Sequence, residues 1–423
     1  MTSIDRPGSD VRASHTRSGP VDGGTDADTD GDTSGGTDGG RQRRDARPGR
    51  LLTGATLPFF LGGFLGPVGT MSVISIYPEL RETFDASNSA VNWSFSGYLF
   101  PMALLMLVSG TIGERYGRRR VTRITFVAYA VASLGCVLAP NLGAFVAARV
   151  VQGVCNAFIT PLLIAGLTEV IDPRRLGRAV GIYAGFQALG GAVAPFVSGL
   201  FATFDWRWTY VVIGVVALAL ATRPPDGEPR PAASAPPIRP LLTLRMASLW
   251  VAAFSAAAGP IGLSVLIGVR LRDGLGVGSS AAGTILLVSG LSMMAFSPLW
   301  GRLIDSWGSR RSAVVATATV TVLAAPLGLI GVPWGLTLAW IVVAGLVGFV
   351  PVGLQHLAAL AVPDNRGGAL SSVLAFRFFG HAVGPVVLVP ILTDSPGTAF
   401  GIAASLGVVT LAALFVATVA PRA

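Results

Sequence analysis

Between residues 51 and 420 the chain carries twelve apolar stretches, each close to the roughly 20 residues a helix needs to cross the ~30 Å hydrocarbon core of a bilayer. The first six lie near 51–77, 91–112, 121–140, 142–169, 179–202 and 208–222. The second six lie near 247–269, 281–301, 312–331, 335–361, 369–391 and 398–420. Strands of a membrane barrel would alternate apolar and polar residues, and these runs do not. Hydrophobic residues make up 52% of the 423 and charged residues only 13%, too few to solvate a water-soluble surface. The pattern predicts an all-α membrane protein of twelve transmembrane helices in two pseudo-symmetric six-helix bundles.

Charge placement predicts orientation, because basic residues concentrate in cytoplasmic loops. All 31 basic residues are arginine. With the N-terminus inside, 22 arginines fall beside or between spans on the inner side, and only Arg81, Arg207, Arg270 and Arg272 fall outside. Both termini are therefore expected in the cytoplasm of a cell-membrane protein. The same placement accounts for the net charge of +9 without a nucleic-acid partner.

Residues 1–50, rich in Gly, Asp, Thr, Ser and Arg, read as a disordered cytoplasmic tail. They lack the apolar region of a signal peptide. The bundles are expected at 51–222 and 247–423, joined by a proline- and charge-rich cytoplasmic linker at 223–246. Cys136 and Cys155 lie in apolar runs and form neither a disulfide framework nor a metal site. No nucleotide loop, metal cluster or nucleophile elbow is present, so neither an enzyme nor a cofactor is expected.

The halves repeat. Gly110-Thr-Ile-Gly-Glu114-Arg115-Tyr-Gly117-Arg118-Arg119 recurs as Gly301-Arg-Leu-Ile-Asp305-Ser-Trp-Gly308-Ser-Arg310, 191 residues on. Phe186-Gln187 and Gly190 to Pro195 recur as Phe376-Arg377 and Gly380 to Pro385, 190 residues on. Transporters built from parallel repeats place their substrate site between the halves, near the midplane.

The segment GTIGERYGRRR between spans two and three, with its fainter copy GRLIDSWGSRR between spans eight and nine, resembles the signature loop of the major facilitator superfamily. By that resemblance Glu114 and Arg118 act in a conformational latch, with Glu169 as ionic partner. Gly110, Arg115, Gly117, Asp305, Gly308 and Arg310 complete the two copies. The family usually has Asp where Glu114 stands. Arg149-Val-Val-Gln152-Gly153 in span four resembles the buried-arginine motif of the drug:proton antiporter branch, where the arginine is linked to proton coupling. The alternative is a structural donor to neighbouring helix carbonyls. Gly190, Gly191, Pro195 and Gly199 in span five resemble the exporters' glycine–proline packing motif, with Pro385 as its repeat partner. Ala194 and Ser198 stand where glycines are usual. Trp206 and Trp208 read as exporter-like or simply as interfacial anchors.

Many such antiporters carry an acid in span one; around Gly69 this chain has none. The deepest remaining polar groups are Arg149, Gln152, Gln187, Arg377 and His381, expected to line a substrate and proton cavity. Arg377 and His381 share a helix face one turn apart. His356, near the inner end of span ten, is a further candidate, since histidine titrates in the physiological range. Two arginines with no deep carboxylate favour an anionic or neutral substrate. The expected function is proton-coupled export of small organic molecules by a monomer in the lipid bilayer. Uptake symport or uniport is the alternative.

Overall fold

The structure is a computed structural model. It describes residues 52–53, 56–224 and 241–419, without the side chains at positions 110, 111, 114, 168, 173, 174, 177, 297, 301, 304, 305 and 364. The tail expected at 1–50 and most of the linker expected at 223–246 lie outside the described residues.

Every described element is a helix. The first half comprises α1 (Leu57–Met71), α2 (Tyr77–Phe84), α3 (Asn88–Tyr116), α4 (Arg118–Val137), α5 (Leu142–Val170), α6 (Pro173–Phe201) and α7 (Arg207–Ala221). The second half begins with α8 (Leu244–Ala258), α9 (Leu263–Val269, continued by a π turn Arg270–Gly274), α10 (Ser279–Trp307) and α11 (Ser309–Ala324, continued by a 3-10 turn Ala325–Leu329). It ends with α12 (Pro333–Val347), α13 (Phe349–Ala361), α14 (Arg366–Asp394) and α15 (Pro396–Val419). Among the described residues, ten helical segments are long and apolar enough to cross a membrane, and α1 and α7 are shorter apolar helices in the places of spans one and six. The fold is the expected one of twelve apolar spans.

Polar caps set several starts. Ser87, Asn141, Thr243 and Asn365 each accept a backbone N–H three residues on, satisfying first-turn donors of α3, α5, α8 and α14. Because Thr243 caps it, the second half's first helix starts at Leu244, ahead of the apolar run expected from 247.

Prolines and glycines set the breaks. Span one, expected unbroken over 51–77, stops at Met71, and a turn leads into α2, where Pro78 lacks the N–H needed to continue a helix. Span seven breaks between Ala258 and Leu263, around Gly259 and Pro260. Span ten breaks at Gly348, one turn before Pro351, whose ring cannot accept the carbonyl of Val347 in regular helical geometry.

The two signature segments are not loops. Helix α3 runs to Tyr116 and α10 to Trp307, and a single glycine, Gly117 (φ 88°) or Gly308 (φ 78°), turns the chain into the next helix. The bundle end carrying these hinges is called the hinge face, and the opposite end the far face.

The halves meet along α6 against α10 and α3 against α14. A Cβ on Gly199 would lie 2.4 Å from the Ser279 carbonyl oxygen, and one on Gly283 2.4 Å from that of Pro195. Ser96 donates to the Ala382 carbonyl at 2.8 Å. These approaches all lie in the far-face part of the spans, where small residues allow backbones to touch. Toward the hinge face, Gly181 and Gly185 of α6 have open space beside them. Among the described side chains of α10, none is buried between Ser289 and Trp300. The halves are thus packed at the far face and apart toward the hinge face.

Candidate functional site

Arg149, on α5, is 0% exposed. Its Nε donates to the Ser94 carbonyl at 2.9 Å, and Nη1 donates to the Gly69 carbonyl and to Gln152 Oε1, both at 2.7 Å. Nη2 reaches the Thr70 carbonyl at 3.4 Å. Gly69 and Thr70 sit in the last turn of α1, whose carbonyls have no intrahelical partner once the helix stops. The guanidinium therefore supplies donors there, alongside Ser72 Oγ, which donates to the Gly69 carbonyl at 3.0 Å, and it sits at the negative end of the helix dipole. The ring of Tyr98 lies 4.6 Å from the guanidinium carbon. Gln152 donates onward to Ser133 Oγ at 2.8 Å, joining spans one to four in one network. Gly69 must be glycine here, since a Cβ would meet the Tyr129 hydroxyl at 1.8 Å. Arg149 and Gln152 thus do not line an open cavity: the structure encloses both, and their donors and acceptors are used within the first half.

Arg377 and His381 differ. Both lie near the middle of α14, and each residue keeps partial solvent accessibility. Arg377 has its Nε buried without a hydrogen-bond partner. Its guanidinium carbon lies 5.1 Å from the Phe378 ring centroid. A cation at membrane depth costs about 2.5–3.5 kcal/mol on insertion scales, so an arginine without a carboxylate needs open space or a ligand. On other faces of α14 a file of aromatic rings leads from α8 to the first half. Trp250 stacks on Phe376 at 5.2 Å and 5°, Phe376 lies 6.4 Å from Phe379, and Phe379 lies 6.4 Å from Phe100 of the other half. Gln187 is also only partly buried, next to Phe186, which packs on Phe60 of α1.

His356 is elsewhere. It is exposed, and its Nδ1 is hydrogen-bonded to Ser309 Oγ, beside the Gly308 hinge. Its helix ends five residues later, at Ala361, which places it near the hinge-face end of span ten, as the sequence reading expected.

Of the latch candidates, Arg118 Nη1 lies 2.6 Å from Glu169 Oε2. This pair joins the start of α4 to the end of α5 within one half. Arg115 is exposed over the Tyr116 ring, and Arg310 is exposed. The side chains at Gly110, Glu114 and Asp305 lie outside the described ones.

The span-five motif is used at close quarters. A Cβ on Gly190 would lie 2.4 Å from the Phe64 carbonyl oxygen, whereas Gly191 has only ordinary contact with Pro67. Ser75 donates to the Pro195 carbonyl at 2.7 Å and shares a 2.8 Å hydrogen bond with Ser198. Ser198 thus ties α6 to the turn after α1. Pro385 is buried within α14. Trp206 is no interfacial anchor: it is 3% exposed, donates to Thr83 Oγ1 at 3.0 Å and meets the edges of Phe145 and Tyr210. Trp208 is 50% exposed.

One constellation escaped the sequence reading. At the far face, Arg81 Nη2 lies 2.6 Å from Asp273 Oδ1, and Arg272 pairs with Glu79. Both pairs cross between α2 of the first half and the π turn of the second. A signal for them exists: Arg81-Glu82 recurs as Arg272-Asp273 at offset 191, the offset of the hinge segments.

The description "Major Facilitator Superfamily" belongs to the family whose model matches residues 59–278 and 249–423. The chain is 34% identical over 157 residues to the Multidrug resistance protein B homolog of Mycobacterium tuberculosis (strain ATCC 25618 / H37Rv), covering 36% of this chain and 28% of that protein. It is 32% identical over 154 residues to the Drug efflux pump JefA of the same strain, covering 36% and 30%. The matches thus span less than a third of these relatives' lengths. The crystal structure of a D-xylose-proton symporter is similar in fold, with a TM-score of 0.69 at 18% identity, covering 87% of this chain and 97% of that one.

Proposed function

The chain belongs to the Major Facilitator Superfamily, and from that premise we propose that it is a secondary transporter that exports small organic molecules across the cell membrane in exchange for protons. It works as a monomer by alternating access, with both termini in the cytoplasm. On that orientation the hinge face is cytoplasmic and the structure is closed to the outside.

The observation that carries this reading is the asymmetry of the seam between the halves. At the far face the halves are joined by backbone-close packing and by two ion pairs. Toward the hinge face they part. Ion pairs at a protein–water boundary are individually weak, so they can close one end and still break in each cycle. The hinges at Gly117 and Gly308 lie at the other end, where each half's helices must move together. The Arg118–Glu169 pair braces the first half there and is the proposed latch. His381, deep and only partly buried, is the proposed carrier of the exchanged proton. Export direction is supported by similarity to a relative named as a drug efflux pump.

A second reading, uptake symport or uniport, rests on span five. There Ser198, where exporters usually have glycine, is hydrogen-bonded to Ser75 and tightens the motif.

Everted membrane vesicles test the two readings. Compounds added to energised vesicles containing the protein should dissipate a preformed pH gradient, and vesicles without it should not respond. Accumulation of substrate driven by an inward proton gradient in right-side-out vesicles would replace export with uptake.

A further inference from the structure

Between the arms of the α10–α11 hairpin, next to the Gly308 hinge, lies an apolar cleft of about 60 Å³. Trp300 and Trp307 of α10, Ser312 and Val315 of α11, and Leu346 and Phe349 of span ten are among its walls. The Ser312 hydroxyl donates to the Leu303 carbonyl at 3.1 Å, and Trp300 Nε1 donates to the Gly345 carbonyl at 3.1 Å, so neither is free for a guest. Walls of this kind offer water too few partners and suit hydrocarbon. Val315 is 48% exposed and Trp307 50%, so the cleft opens at the surface of the bundle. Its mouth is basic. Arg311 precedes Val315 by four residues on α11 and therefore stands one turn before it on the same face, and both are exposed. Between Gly301 and Ser312 three arginines, Arg302, Arg310 and Arg311, stand against one acid, Asp305.

We propose that this cleft holds an acyl chain of an anionic phospholipid, whose headgroup phosphate is bound by Arg311. The juxtaposition that carries this is an apolar cleft open at the surface of a membrane-spanning bundle, with an exposed arginine one helical turn from its wall on the hinge side. A phospholipid matches both parts. Its hydrocarbon fits walls with no free hydrogen-bonding group at Ser312 or Trp300, and its phosphate accepts from the guanidinium fork. The net positive charge of the hairpin turn favours a headgroup of net negative charge over a zwitterionic one. Trp307, half exposed at the mouth, sits as tryptophans do at a membrane–water boundary. The seated chain touches both arms of the hairpin and span ten beside its break at Gly348, so it fixes the spacing of three helices next to the hinge. Because it binds the folded state, it also stabilises the second half by mass action. The inference is independent of what the protein carries and in which direction.

The test is tryptophan fluorescence of the full chain in nanodiscs of phosphatidylcholine that contain a minor fraction of a second lipid brominated along its acyl chains. Bromine quenches a tryptophan it touches, and Trp300 and Trp307 line the cleft. Brominated phosphatidylglycerol should quench at least twofold more than brominated phosphatidylcholine at the same fraction. Arg311→Gln should remove at least half of this excess. Val315→Phe, which narrows the mouth, should do the same, and Trp307→Phe, which removes a reporter, should also lower it. Arg123→Gln, at an exposed position on α4 of the other half, should leave it intact. Equal quenching by the two lipids in the unaltered chain would overturn the proposal, as would an excess that survives Arg311→Gln. An excess lost as fully in Arg123→Gln as in Arg311→Gln would reduce the effect to general attraction by basic surface and overturn the site. A dimer that Val315→Phe dissolves, with no lipid preference in the unaltered chain, would assign the cleft to a second copy instead. Should Val315→Phe not fold, Arg311→Gln decides: phosphatidylglycerol should raise the unfolding temperature of the unaltered chain more than that of this variant.

Discussion

Arg81 Nη2 lies 2.6 Å from Asp273 Oδ1, and the two residues belong to opposite halves of the chain. With the Arg272–Glu79 pair beside it, this contact fastens the far-face ends of spans one and seven. The side chains are 33% and 16% exposed, so solvent screens the attraction. Each such pair contributes about 0.2–1 kcal/mol, and both together bias the open–closed equilibrium by roughly fivefold. Arg81→Gln should therefore raise labelling of a cysteine at Ala192, which packs across the seam on Gly290, by an impermeant thiol reagent. Cys136 and Cys155, both buried, would first be replaced by Ala. The exchange Arg81→Asp with Asp273→Arg should return labelling to its starting level. Unchanged labelling in all variants would mean that the pairs do not hold the far face shut.

Why this closure was hidden while the spans were plain is a matter of range. Apolar runs and hinge glycines are local signals, read residue by residue. The pairing of Arg272 with Glu79, one turn away from the repeat partner Glu82, depends on how α2 and the π turn meet. Arg149 gives a second case. Hydropathy marked it as deep, but two of its carbonyl partners, Gly69 and Thr70, are free to accept because α1 ends at Met71, within a stretch apolar through Ile76. His356 is the contrasting case: its place near the inner end of span ten was legible from the length of the apolar run, and the helix does end at Ala361.

Arg149→Ala should destabilise the first half. Hydrogen bonds to a charged donor contribute about 1.5–3 kcal/mol each; the Thr70 carbonyl would lose its Arg149 donor, and the Gly69 carbonyl would keep only Ser72 Oγ. A fall of several degrees in unfolding temperature in detergent is expected, together with loss of transport. Arg149→Lys keeps the charge but not the fork, and should recover only part of the stability. An unfolding temperature unchanged in Arg149→Ala would refute the capping role.

Gly117→Ala should cost on the order of 1–3 kcal/mol, because φ 88° with ψ 119° suits glycine and few other residues. Gly308→Ala should behave alike. Gly181→Ala is the contrasting case. It lies within α6 beside open space, so the substitution should be neutral or stabilise by up to about 1 kcal/mol. Equal unfolding temperatures across all three variants would show that the positive-φ turns carry no special strain.

His356→Ala should remove one hydrogen bond to Ser309, at about 0.5–1.5 kcal/mol, and leave proton-coupled turnover close to that of the unaltered chain. His381→Ala should instead abolish proton exchange while the protein still folds. Measuring proton release from vesicles against the amount of folded protein separates the two. Loss of exchange in His356→Ala, with stability preserved, would move the proton carrier from span eleven to span ten.

Gly199→Leu probes the seam by bulk instead of charge. A Cβ there would already lie 2.4 Å from the Ser279 carbonyl oxygen and 3.5 Å from Gly283 Cα, so a leucine side chain cannot enter while α6 and α10 stay in contact. The backbone on the facing helix cannot yield as a flexible side chain would. The halves must therefore part at the far face or the bundle must lose packing, and the two are distinguishable. If parting occurs, the variant unfolds at a similar temperature, the cysteine at Ala192 becomes reactive from the far face, and turnover stops because that end no longer closes. Gly181→Leu, toward the hinge face where the space is open, should leave far-face reactivity unchanged. A Gly199→Leu protein that stays protected at the far face and transports at the normal rate would show that closure does not depend on this contact, and would remove the seam from the proposed cycle.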